Sequence, residues 1–268
     1  MPAPVKIHIG DVHKAFGPKV VLDGMSLDIA PGESMVVIGG SGTGKSVLLK
    51  HIIGLLRPDS GTVEVDGVAV EKLGNREITD FRRKVGMSFQ EGALFDSMTI
   101  WQNVAFPLQR LTKMSRKEID ERVKECLDLV RLEGVEEKLP SQLSGGMRRR
   151  VGFARAISHR PEILLFDEPT TGLDPVTTAL IGEVIVDLND RLKTTTVTIT
   201  HDMDSAFRIG DRIAMIHKGR IVASAPPAEF RNLEDPRVQQ FIHGRAEGPL
   251  SDEPSVRTGP GQPKTPDR

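Results

Sequence analysis

The chain has 268 residues, 36 Lys and Arg against 37 Asp and Glu, and 38% hydrophobic residues, enough for a large domain with a substantial core. The charge balance removes the basic excess that would point to nucleic acid as a partner. One cysteine, Cys126, leaves no internal disulfide framework and fits a reducing compartment. No apolar run approaches the roughly 20 residues of a membrane-spanning helix, and the N-terminus, MPAPVKIHIG, lacks the layout of a signal peptide. Any service to a membrane is therefore expected from the cytoplasmic face, through a partner.

Residues 5–30 alternate in short segments, VKIHIGDVHKAF and VVLDGMSLDI, as antiparallel strands do. A buried strand is predicted at Ser34–Ile38, then a glycine-rich turn and a helix from about Lys45 to Leu56. Arg57-Pro58-Asp59-Ser60-Gly61 ends that helix, and TVEVDG reads as a hairpin strand. Val85–Phe89 forms a strand that ends at Gln90. The stretch from about Gly92 to His159 is mostly helical in pattern. Its clearest helix covers about Arg116–Val130, with Ile119, Val123, Leu127 and Val130 at helical spacing behind a Ser115 N-cap. Pro161 breaks the pattern before the buried strand ILLF. A helix from about Pro175 to Lys193 leads into the β-branched run TTTVTIT, and short strands near Ile213–His217 and Arg220–Ala223 complete the sheet. Apolar runs alternating with amphipathic segments give an α/β fold with a mostly parallel sheet. DPRVQQFIHGR, residues 235–245, reads as an ordered docking segment. Residues 246–268 shift to Gly, Pro, Ser and charges, and are expected to be a disordered tail.

Gly39-Gly40-Ser41-Gly42-Thr43-Gly44-Lys45-Ser46 fits G-x-x-x-x-G-K-[ST] between a strand and a helix, the context that makes it a phosphate loop. Its glycines let backbone N–H groups wrap a phosphate at a helix N-terminus. Lys45 is expected to reach the β- and γ-phosphates of a nucleotide, and the Ser46 hydroxyl to bind Mg²⁺. The loop alone does not separate a kinase, a GTPase and an ATPase.

The strand Ile163–Phe166 ends in Asp167 and Glu168. By itself this also fits an ordinary exposed acidic turn, Asp167-Glu168-Pro169. Beside a phosphate loop, Asp167 suits Mg²⁺, and Glu168, one residue on, suits a water aimed at the γ-phosphorus. Gln90 could contact the metal and the attacking water, and His201, after TTTVTIT, could hydrogen-bond the γ-phosphate. Leu143-Ser144-Gly145-Gly146-Met147 precedes an Arg-rich helix. Ser144 is a natural N-cap, and Gly145 and Gly146 would leave the helix N-terminus open to an anion. Read alone, this is no more than a capped helix.

Together, GGSGTGKS, Gln90, LSGGM, ILLFDE, the Gly172-Leu173-Asp174 turn and His201 resemble the nucleotide-binding subunits of ABC transporters, in family order over about residues 5–225. The resemblance implies a P-loop RecA-like core with an N-terminal antiparallel β-subdomain and an inserted helical subdomain, here an ATP-binding domain over 5–245 with the helical part at about 92–159. It implies a homodimer in which each ATP lies between one phosphate loop and the other subunit's LSGGM. Ser144 and Gly146 then bind the γ-phosphate of the opposite site, Asp174 relays between sites, and Phe16 stacks on adenine. Met147 stands where the family usually has Gln, and a thioether cannot make an amide's hydrogen bonds.

QEGALFDSMTI with the following NVAFPL, LSGGMRRR and DPRVQQFIHGRAEGP resemble one branch, the MlaF-type or Mce-associated lipid ATPases, of which Met147 is itself typical. That likeness implies a peripheral place on the cytoplasmic face of the inner membrane. The partners implied are two copies of a permease, an Mce-domain protein and, in some systems, a STAS-domain protein; the cargo is phospholipid. Leu94, Phe95, Met98, Ile100 and Trp101 would suit a permease-docking groove, or packing within the helical subdomain. The competing readings are an importer ATPase for a small polar solute and a soluble non-transport ABC protein. The single cassette, without heptad arrays or basic excess, argues against the latter.

Overall fold

A computed structural model describes residues 4–251. Two antiparallel strands, β1 (Ile7–Phe16) and β2 (Lys19–Ile29), lead into β3 (Ser34–Ile38) and helix α1 (Lys45–Ile52). A hairpin of β4 (Ser60–Val65) and β5 (Val68–Ala69) precedes α2 (Asn75–Arg82) and β6 (Val85–Ser88). Three helices follow, α3 (Ile100–Leu111), α4 (Arg116–Leu129) and α5 (Gly145–Ile157). The chain then forms β7 (Ile163–Asp167), α6 (Pro175–Leu192), β8 (Thr195–Ile199), α7 (Met203–Ile209), β9 (Arg212–His217) and β10 (Arg220–Ala225), and closes with α8 (Pro227–Phe230) and α9 (Pro236–Ile242).

These strands make two sheets, a four-stranded one in the order β2-β1-β4-β5 and a six-stranded one in the order β10-β9-β3-β8-β7-β6. The small sheet is antiparallel. In the large one β9, β3, β8, β7 and β6 run parallel, and β10 closes the edge antiparallel. Alternation along the central strands divides the core. Val36, Ile38, Leu164 and Phe166 face a layer containing α3–α6, whereas Met35, Val37, Ile163 and Leu165 face α1 and the small sheet.

The predicted elements hold with small shifts of boundary. α1 ends at Ile52, short of Leu56, because Gly54 takes a left-handed turn and the N–H groups of Leu55 and Leu56 return to the Lys50 carbonyl. The α4 capping box joins Ser115 to Glu118. α2 and α7 were not anticipated, being short segments with few buried residues. The expected tail needs correction at its start. Gln240 of α9 accepts from Leu250 N at 2.7 Å and donates to Ser251 Oγ at 2.8 Å, so residues 246–251 fold back onto α9. The rest of that expected tail, 252–268, lies outside the described residues.

Of the two readings for Leu94, Phe95, Met98, Ile100 and Trp101, packing within the helical subdomain holds for most of the set and the exposed groove is corrected. Ile100 is fully buried, Leu94 and Trp101 pack on the core, and Arg116 stacks 3.6 Å above the Trp101 ring. Of that set Phe95 is the large exposed side chain, at 42%.

Candidate functional site

Because β3, β8, β7 and β6 are parallel neighbours, the segments that follow them emerge on one edge of the sheet. Those segments are the phosphate loop, His201, Asp167-Glu168 and Gln90, which lie far apart in sequence. The phosphate loop closes through Gly44, whose φ of 106° suits glycine. A Cβ there would come within 2.7 Å of Leu22 Cδ2. Lys45 Nζ, almost fully buried, donates to the carbonyls of Gly39 at 2.7 Å and Gly40 at 3.0 Å. Thr43 Oγ1 donates to the Gly40 carbonyl at 2.9 Å.

The acids meet this loop directly. Ser46 Oγ donates to Asp167 Oδ1 at 3.1 Å, and Glu168 Oε1 lies 3.7 Å from Lys45 Nζ. Glu168 Oε2 accepts from Thr171 Oγ1 at 2.9 Å and is hydrogen-bonded to His201 Nδ1 at 2.8 Å. Glu168 holds a φ of 49°, a region that costs a non-glycine residue about 1–2 kcal/mol. Its N–H is anchored to the Ile199 carbonyl at 2.9 Å. Burial raises the Asp167 pKa, against the Ser46 hydrogen bond, and burial lowers that of Lys45, against the pull of Glu168. A half-buried carboxylate beside a hydroxyl is a hard oxygen pair, the donor chemistry that fits Mg²⁺.

Phe16, at the end of β1 and 48% exposed, forms the outer wall of an open cleft of about 400 Å³ floored by Gly42, Gly44, Lys45 and Ser46. Ser41 and Glu168 line the same cleft. Gln90 is brought to this edge, but the contact that places it is made by its backbone, whose carbonyl accepts from Arg149 Nε at 2.8 Å.

Ser144, Gly145, Gly146 and Asp174 do not line that cleft. Ser144 caps α5, its Oγ accepting from Met147 N at 3.3 Å. Asp174 caps α6, accepting from the N–H groups of Val176 and Thr177 at 3.0 and 2.9 Å. These hydrogen bonds, with that from Thr177 Oγ1, hold its carboxyl below the usual range. Met147 packs against the main core. Sequence reasoning missed Thr171 and Arg149, since a threonine after Glu-Pro and the middle of three arginines carry no signal of which atoms they touch.

Residues 22–171 match the family model described as ABC transporter. The chain belongs to the ABC transporter family. It is an ATPase of that family, and its fold is that of the ABC cassette. The cassette is 42% identical over 250 residues to the "Probable ribonucleotide transport ATP-binding protein mkl" of Mycobacterium leprae, covering 93% of this chain and 72% of that protein. It is 37% identical over 234 residues to the "Intermembrane phospholipid transport system ATP-binding protein MlaF" of Haemophilus influenzae, covering 87% of this chain and 89% of that one. Among solved structures it resembles the dimeric ATP-binding cassette MJ0796 in a post-hydrolysis state bound to ADP and Pi. That likeness has a TM-score of 0.76 at 34% identity, over 82% of this chain and 98% of the other. Among the described residues no helix is long and apolar enough to cross a membrane.

Proposed function

We propose that this cassette works as a head-to-tail homodimer beneath a two-copy permease and powers phospholipid movement between membranes with an Mce-domain partner. The observation that carries the paired arrangement is the separation of the two half-sites. The phosphate loop and Glu168 line one cleft, and Asp167 and His201 are hydrogen-bonded to its Ser46 and Glu168, while Ser144, Gly145 and Gly146 lie outside it. A second copy supplies the missing half. The lipid cargo is supported by the MlaF-type segments around Gln90, LSGGMRRR and residues 235–245, and by the similarity to MlaF. The name of the Mycobacterium leprae relative refers to a different cargo.

In this reading Phe16 stacks on the adenine ring and the phosphate loop wraps the phosphates. Lys45 exchanges its loop carbonyls and Glu168 for the β- and γ-phosphates. Glu168, released from Lys45 and oriented by Thr171 and His201, accepts a proton from the water that attacks the γ-phosphorus, while the bond from that phosphorus to the β–γ bridging oxygen breaks and ADP leaves. His201 and the opposite Ser144 hydrogen-bond the γ-phosphoryl oxygens as charge develops. Ser46, Asp167 and Gln90 would hold Mg²⁺, which when bound neutralises phosphate charge. Asp174, at the α6 cap, lies where the two subunits meet.

E168Q is the test of the catalytic reading. It should retain ATP, trap a dimer by size-exclusion chromatography and lose nearly all turnover; unchanged ATPase activity would sink the assignment. For the cargo, the complex purified from membranes should contain an Mce-domain protein and bound phospholipid by mass spectrometry. A solute-binding protein in its place would favour the importer reading.

A further inference from the structure

The three consecutive arginines of α5 meet three different surroundings. Arg148 Nη1 donates to the Leu143 carbonyl at 2.7 Å, and Arg150 Nη1 donates to the carbonyls of Val130 and Arg131 at 3.2 and 2.6 Å. Arg149 turns inward and is only 8% exposed. Its Nε donates to the Gln90 carbonyl at 2.8 Å and its Nη2 to the Thr171 carbonyl. Its Nη1 is buried with no acceptor among the described residues. Burial draws its pKa down, opposed by the charge of Glu91. A guanidinium buried against carbonyls is a costly way to fill space, and an apolar side chain would fill the same volume more cheaply.

The two carbonyls belong to the two segments that matter for hydrolysis. Gln90 opens the strap 90–93 after β6, and Arg155 of the same helix holds that strap through the Gly92 and Ala93 carbonyls at 2.7 and 2.8 Å. Thr171 follows β7, and its hydroxyl donates to Glu168 Oε2 at 2.9 Å. The planar fork of arginine can hold two acceptors in fixed relation, which the single ammonium of lysine cannot copy.

We infer that Arg149 is a positioning residue for hydrolysis, fastening the strap after Gln90 to the loop at Thr171 so that strap movement repositions the Glu168 carboxylate. This rests on the reading of Glu168 as the general base. A partner that displaces the strap would then alter turnover without touching nucleotide.

The test uses the full purified chain, with R149K, R149M, T171V, T171S, R149M/T171V and E168Q. Steady-state ATPase rates, equilibrium affinity for a fluorescent ATP analogue and thermal midpoints are measured for each. R149M and T171V should each lower kcat about tenfold with affinity changed less than about twofold. T171S, which keeps the hydroxyl, should recover most of the rate. The double variant should be no slower than the worse single one, since both act through one linkage. R149K keeps charge and approximate length but loses the fork, and carries the test if R149M does not fold; its kcat should fall with an unchanged midpoint. Wild-type kcat in R149K or T171V, losses that multiply to about 100-fold in the double variant, or a loss confined to ATP affinity would each overturn the inference. An inactive E168Q beside fully active R149K and T171V would remove the linkage alone. A fully active E168Q would remove the base reading and this inference with it.

Discussion

Replacing Gly146 by alanine separates packing from nucleotide contact at the start of α5. A Cβ at Gly146 would stand 2.4 Å from Thr177 Cγ2 on α6, well inside carbon–carbon contact. Thr177 cannot turn away freely, because its Oγ1 donates to Asp174 Oδ2 at 2.6 Å and its N–H to Oδ1 at 2.9 Å. Either that cap breaks or the two helix starts move apart, an overpacking cost of about 1–3 kcal/mol. Alanine returns at most about 1 kcal/mol of helix propensity, and less in the first turn. The net loss is about 1–2 kcal/mol, or a fall in Tm of about 2–8 °C for a domain of this size. T177S deletes the clashing methyl and keeps the hydroxyl, so G146A/T177S should return to wild-type stability in chemical denaturation. ATPase activity should stay low in that rescued variant, because the proposed approach of a partner's γ-phosphate needs bare backbone at Gly146. G146A at wild-type stability, or no recovery with T177S, would refute the packing argument. Full activity in the stable double variant would show that the glycine serves packing alone.

Other outcomes follow from the same geometry. Burial raises the Asp167 pKa, so between its unfolded and folded values the native state holds a proton the unfolded chain has lost. Above both values the ionised carboxylate opposes folding, and D167N should therefore raise the thermal midpoint at pH 7 while removing the Mg²⁺-dependent stabilisation by ATP; a lower midpoint would contradict the sign. Cys126 is fully buried, and burial pushes its pKa up to about 12. Its labelling by a thiol reagent at pH 8 should track global unfolding in denaturant, and rapid labelling of native protein would be the contrary result. D174A should lower the denaturation midpoint by removing the α6 cap, whereas D174N, which still accepts hydrogen bonds, should keep most of it. Loss of ATPase activity in D174N at retained stability would support a role between subunits.

Much of the site was legible in the chain because its chemistry is local. A phosphate loop needs its glycines, lysine and serine consecutively, and a buried strand ending in Asp167-Glu168 announces itself by the contrast of apolar run and acids. LSGGM showed as a helix cap, and the cap is what formed at Ser144. The alternation of residues 5–30 and the helical spacing of Ile119, Val123 and Leu127 likewise specified their elements, since each period commits one face to burial.

Tertiary structure decided what depends on neighbours remote in the chain. The strand order β3-β8-β7-β6 is what carries His201 to Glu168, a pair 33 residues apart in sequence and 2.8 Å apart in space. It also assigned one arginine of three to the interior, and decided for Ile100 between a docking groove and internal packing by burying it. Short-range pattern determines which face of an element is apolar. Only the packed sheet determines which loops meet at its edge, because parallel strands bring together carboxyl ends whose separation in sequence sets no constraint on their distance.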